Sequence, residues 1–160
     1  MKTGIFLFVV TITVMISKFA VSQSAGPKLK VAHISILVHD YDQGLKYYTD
    51  VLGFEKKTDI KFGNERWITI AAPGEKGIEF VLVRAKDKED SAIVGNQAGA
   101  RTFAVLNTND CKKVFADYKL KGIKVLTEPR ETPWGVQAQF YDLYGNRFVL
   151  LEPNSISQNK

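Results

Sequence analysis

The chain has 160 residues, enough for one well-buried core or for two small modules sharing one, and too few for several large domains. Hydrophobic residues at 45% and charged residues at 24% match globular averages and exclude wholesale disorder. The formal charge of +5 includes Lys2 and Lys18; without them the 22 basic residues fall to 20 against 17 acidic ones, scattered rather than clustered, which is no footprint for nucleic acid.

Lys2 precedes an apolar run from Gly4 to Ile16, and Ala20-Val21-Ser22 follows. A positive start, a short apolar centre and small residues at −3 and −1 form the layout of a secretory signal peptide over residues 1–22. The run is shorter than the about 20 residues a spanning helix needs, so stable membrane insertion after cleavage is not expected. The remaining domain is expected to be exported, either periplasmic or secreted.

Residues 31–38, Val-Ala-His-Ile-Ser-Ile-Leu-Val, are β-branched and apolar and predict a strand. Asp40 or Asp42 caps a helix on which Leu45, Tyr48 and Leu52 recur at helical spacing, and Gly53 stands at its C′ position. Residues 54–60, 66–71 and 77–83 predict three more strands, split by Gly/Asn and Pro-Gly turns. Residues 84–99 look like a polar linker. The pattern then restarts with a strand at 103–108, the cap Asp110, an apolar stripe of Val114, Phe115 and Tyr118, and Gly122. Strands at 123–126, 135–141 and 147–151 follow, and 154–160 is a tail. Asp40 and Asp110 are 70 apart, as are Tyr48 and Tyr118. A β-α-β-β-β order repeated at that distance indicates an internal duplication, with module one at 30–83 and module two at 100–153. Each module is too small to bury its sheet alone, so the two should pair.

The segments His33-Ile-Ser-Ile-Leu-Val-His-Asp40 and Tyr47-Tyr48-Thr-Asp-Val-Leu-Gly-Phe54 carry a resemblance. They are similar to the opening of the vicinal oxygen chelate superfamily, which includes glyoxalase I, extradiol dioxygenases, fosfomycin-resistance thiol transferases and bleomycin-resistance proteins. Asp142-Leu-Tyr-Gly-Asn-Arg-Phe-Val-Leu-Leu-Glu-Pro153 resembles its closing signature, and Pro133-Trp134-Gly135 resembles the bleomycin-resistance type. The resemblance covers residues 30–153. It implies an α+β fold in which two paired β-α-β-β-β modules form a cupped mixed sheet with helices on the outer face. It also implies a homodimer or a site shared between modules.

In the metal-dependent relatives, the first and last strands of each module contribute one ligand each. Carried onto this chain, those positions are His33 and Glu79 in module one, and both can bind a divalent ion. In module two they are Phe103, or Arg101 after a two-residue slip, and Val149, none of which is a ligand. Half the chelate is therefore missing, and a divalent metal would be held weakly, with Gln139 as an improvised donor. Glu152 has the wrong strand parity to replace Val149. The single cysteine, Cys111, forms no intramolecular disulfide and no thiolate zinc site, and is expected to be a shielded free thiol.

Two functions stay open on this sequence. One is a binding protein holding a small, partly planar molecule among Trp67, Trp134, Phe103, Val149 and Arg101, with His33, Glu79 and Gln139 as polar contacts. The other is a lyase, isomerase or dioxygenase using His33 and Glu79 around a weak metal or as an acid/base pair.

Overall fold

The computed structural model describes residues 28–158; the signal-peptide expectation for 1–22 lies outside them. Module one comprises β1 (His33–Val38), α1 (Tyr41–Lys46), β2 (Glu55–Phe62), β3 (Glu65–Ala71) and β4 (Glu79–Arg84). A second short helix, α2 (Lys88–Ile93), lies between the modules. Module two comprises β5 (Thr102–Asn107), α3 (Cys111–Leu120), β6 (Lys124–Thr132), β7 (Gly135–Tyr141) and β8 (Arg147–Pro153), and α4 (Ser155–Gln158) closes the chain. No described helix is long and apolar enough to cross a membrane.

The helices start where side-chain oxygens replace missing backbone acceptors. The Asp40 carboxylate accepts from the Gln43 amide at 2.8 Å, and Asp110 accepts from Lys113 at 2.9 Å. α1 runs on into a π-helical turn over Tyr47–Val51, and that stretch and α3 end at Gly53 and Gly122, with φ of +73° and +80°. The polar linker carries a short helix of its own: Asp87 caps α2 by accepting from the Asp90 backbone N–H at 2.8 Å, with Glu89 and Asp90 favouring its first turn.

Each module folds into a four-stranded mixed sheet, in the orders β1-β4-β3-β2 and β5-β8-β7-β6. In both, the first and fourth strands run parallel and the others are antiparallel. Among the described residues no strand pair joins the two sheets. The modules meet instead through their helix-bearing faces. Ile36, Ile68 and Leu82 of the first sheet share one core with Tyr48, Phe115, Tyr118, Phe140, Phe148 and Leu150. Polar contacts fasten this union. The Tyr48 hydroxyl donates to Asp142 at 2.7 Å, and the Tyr118 hydroxyl donates to the Leu52 carbonyl at 2.9 Å. Burial, then the Asp142 carboxylate, raise the Tyr48 pKa well above its usual value; burial pushes Tyr118 up to about 12.

The linker completes the joint. The Gln97 side chain behaves as a missing strand along the free edge of β1, accepting from Leu37 N at 2.8 Å and donating to Ser35 O at 3.1 Å. Its own backbone N–H donates to Asn146 in module two at 3.3 Å. Two residues earlier the linker passes so close to the 144–145 turn that a Cβ on Gly95 would lie 1.8 Å from the Tyr144 carbonyl oxygen.

Candidate functional site

Alternation along each strand sends one set of side chains into the shared core and the other onto the face turned away from the helices. On β1, Ile36 and Val38 are core, so His33, Ser35 and Leu37 occupy the open face. On β4, Phe80 and Leu82 are core, which leaves Glu79 and Val81 on that face. On β3, Ile68 and Ile70 are core, which leaves Trp67 and Thr69. Leu37 and Val81 are buried yet stand apart from the shared core, as expected for the floor of a separate surface.

On this face the functional side chains converge. His33 and Glu79 are register partners across β1 and β4, and His33 Nε2 lies 3.9 Å from Glu79 Oε2. Their side chains are 43% and 34% exposed, so both remain reachable from solvent. The His33 ring meets Trp67 edge-on, with centroids 5.4 Å apart and planes at 77°. Trp67 in turn faces Ile60 across β2 and β3, and Phe62 follows on the same side of β2. Ile60 is 58% exposed, Phe62 55% and Trp67 39%. An imidazole and a carboxylate thus border a strip of exposed apolar and aromatic surface. Ile60 and Phe62 were not singled out in the sequence, although their alternation with charged neighbours is a visible signal of a strand with one apolar face.

The second sheet has no such cluster. Val105 faces Val149 across β5 and β8, and Gln139 faces Val149 from β7. The residue that faces Val149 is therefore Val105 rather than Phe103. The cause is an irregularity between Thr102 and Ala104, which takes Phe103 out of the alternation. Its ring packs 5.5 Å from Phe148 and 6.2 Å from Phe80, both core residues. Arg101 precedes β5 and is exposed. Trp134 sits in the β6–β7 turn, 52% exposed, where its carbonyl accepts from Asn154 N and the Ser157 hydroxyl. The structure therefore brings together His33, Glu79 and Trp67, and separately Gln139 with Val149.

Other charged groups are committed elsewhere. Arg66 forms ion pairs with Asp59 at 2.7 Å and Asp42 at 2.6 Å. Glu152 accepts from the Cys111 backbone N–H at 2.9 Å, on the opposite face from Val149. Burial, then Glu152, push the buried Cys111 thiol up, which opposes thiolate chemistry.

Catalytic metal sites keep three protein ligands and an open position. Here His33 and Glu79 supply two donors, the Val105–Val149 pair of module two supplies none, and among the described residues no three of His, Cys, Asp and Glu gather in one place. This donor set does not fit a resident catalytic metal. What the cluster offers is a flat apolar strip for stacking, a carboxylate acceptor, and an imidazole that can donate or accept. A further cleft, of about 540 Å³, opens on the reverse side of β1, between Ile34 and Phe80 of module one and Phe103–Asn107 of module two.

Comparison with known proteins agrees with this architecture. UcmS2 superposes with a TM-score of 0.70 at 26% identity, covering 79% of this chain and 99% of that one. TnmS3, described as an antibiotic binding protein from Streptomyces sp. CB03234, superposes with a TM-score of 0.66 at 28% identity, covering 79% and 98%. An uncharacterised protein of Shewanella frigidimarina (strain NCIMB 400) is 37% identical over 129 residues, covering 79% of this chain and 96% of its own. The glyoxalase/bleomycin resistance protein/dioxygenase superfamily matches residues 30–150, nearly all of both modules. With two β-α-β-β-β modules, their registers and this match in agreement, the chain belongs to the glyoxalase/bleomycin resistance protein/dioxygenase superfamily.

Proposed function

We propose that this protein binds a small, partly aromatic molecule on the open face of the first sheet, without a chelated metal. The observation that carries the proposal is the juxtaposition of Trp67, Ile60 and Phe62 with the His33–Glu79 pair. Large apolar side chains collected on one exposed surface mark a place where something docks. The antibiotic-binding relative TnmS3, built on the same fold, supports a small molecule as the occupant. A single open sheet covers only one side of a ligand. A homodimer that sets this face against the Gln139–Val149 face of a second copy would supply the other wall, and we include that dimer in the proposal. Export by the N-terminal segment belongs to it as well; N-terminal sequencing of the protein recovered from outside the cytoplasm should begin at Gln23.

The test is titration of the purified protein with a panel of aromatic antibiotics, bleomycin included, by isothermal calorimetry. At least one should bind, and Trp67→Ala should weaken it by about 1.5 kcal/mol or more, as expected for an aromatic anchor. Glu79→Gln should cost less. Light scattering should give twice the chain mass. Unchanged affinity in Trp67→Ala would sink the site assignment, and a monomeric mass would remove the second wall.

A further inference from the structure

The open face of the first sheet carries three carboxylates, and their surroundings differ. Glu55 stands opposite Ala71 and is ion-paired with Lys57, which lies in the register shift of β2. Glu65 stands opposite Phe62 and is ion-paired with Lys86 at 3.1 Å. Glu79 has no such partner. Among the described residues no lysine or arginine reaches its carboxylate, and its one ion-pair contact is His33 Nε2 at 3.9 Å. That distance is too long for a hydrogen bond. The chain holds 22 Lys and Arg against 17 Asp and Glu, so a carboxylate without a cation runs against the balance of the whole molecule.

Glu79 also stands on apolar ground. The next residue on the same side of β4, Val81, is 4% exposed, and Leu37 on β1 is 9% exposed. A carboxylate beside apolar surface is less well solvated than one in open water, so a cation set against it gains more. Beyond His33 lies the ring of Trp67, 5.4 Å from the imidazole. An indole face is electron-rich and attracts a cation within about 6 Å. Carboxylate and indole therefore favour the same sign of charge, and a neutral imidazole can accept from an ammonium N–H. The Glu79 side chain is 34% exposed and Trp67 39%, so a ligand on the open face can touch both.

We propose that this face selects molecules that join an aromatic ring to a protonated amine, with Glu79 as the counter-charge. The ring lies on the strip of Trp67, Ile60 and Phe62, and the ammonium is set against the carboxylate. The inference rests on the binding reading above and adds the charge of the ligand, which that reading leaves open.

The probes share a naphthalene ring and a two-carbon arm: 2-(1-naphthyl)ethylamine, 2-(1-naphthyl)ethanol and 1-naphthaleneacetate. They are titrated by calorimetry into the full chain at pH 8 and about 20 mM salt, where surface charges are little screened. The wild type should bind the amine about tenfold more tightly than the alcohol, and the acetate most weakly. Glu79→Gln keeps the shape and removes the charge, and should bring amine and alcohol within about twofold of each other by weakening the amine. Glu65→Gln, whose carboxylate is already taken by Lys86, should leave the tenfold preference in place. Raising salt to about 300 mM should weaken the amine and not the alcohol. That comparison reads the same charge in the wild type, should Glu79→Gln not fold. Equal binding of amine and alcohol, tighter binding of the acetate, an amine affinity indifferent to salt, or a preference that survives in folded Glu79→Gln would each overturn the inference while the binding reading stands. If none of the three probes binds the wild type, the binding reading fails and the inference goes with it.

Discussion

The two modules descend from one pattern but have diverged in opposite directions. At the crossing of first and fourth strands, module one places His33 beside Glu79, whereas module two places Val105 beside Val149. At the turn before the fourth strand the contrast reverses. Module one has the stretch 72–78, whose Gly77 N–H is held only by Glu75 of the same loop. Module two has Asp142–Asn146, where one carboxylate accepts from the backbone N–H groups of Tyr144, Gly145 and Asn146, from the Asn146 side chain, and from Tyr48 of the other module. One copy has kept chemical groups at its surface. The other has spent its polar residues on holding the pair together.

That division can be broken by mutation. Asp142→Ala should have the largest effect, about 4 kcal/mol in urea unfolding, since it leaves several buried donors unpaired at once. Tyr48→Phe removes one of the hydrogen bonds between modules and should cost about 2 kcal/mol. Losses below 1 kcal/mol for both would mean that the turn is not what fastens the modules. A sharper experiment restores the missing donors. If the proposed dimer forms, Val105→His with Val149→Glu faces His33 and Glu79 across the interface, and the double variant should retain near one cobalt ion per chain through gel filtration while the wild type retains none. Failure of the folded double variant to hold cobalt would argue against that facing arrangement.

Smaller effects come from charge. Arg66, bonded to Asp59, holds that carboxyl down at about 2. A depressed carboxylate contributes stability above its unfolded pKa near 4 and loses it as pH falls through its folded pKa. Part of the acid destabilisation between about pH 4 and 2 should therefore vanish in Asp59→Asn, which a pair of thermal melts at pH 5 and pH 2.5 would reveal. Smallest of all, Cys111 should react with a disulfide reagent at pH 8 only slowly until denaturant is added. Fast labelling of the native protein would contradict its placement.

Much of the fold was legible because its signals are local. Asp40 and Asp110 announce helix starts, Gly53 and Gly122 announce ends, and alternation marks the strands. The pairing of His33 with Glu79 was also legible, since both follow from a family pattern on first and fourth strands. Val105 was not. Phe103 stands 70 residues after His33, but β5 carries an irregularity there, so the regular ladder that sets Val105 opposite Val149 begins only at Ala104. An irregularity of this kind breaks alternation without changing composition, so nothing in the residue types gives it away. α2 was missed because its cap, Asp87, stands in a run of charges that reads as solvated linker.

The staple made by Gln97 has a consequence for how the chain can be altered. The connector between the copies is anchored near its C-terminal end, where Gln97 is tied to β1 and to Asn146 and Gly95 has no room for a side chain. Upstream, Lys86 to Ile93 touches the rest more loosely and is largely exposed. The connector therefore behaves as slack rope ending in a knot. Extra residues inserted around Lys88 should be absorbed as a longer loop, whereas deleting one residue between Ile93 and Gln97 should untie the joint. A chain opened within the slack portion, with its natural ends fused, would keep the knot on the strand it secures.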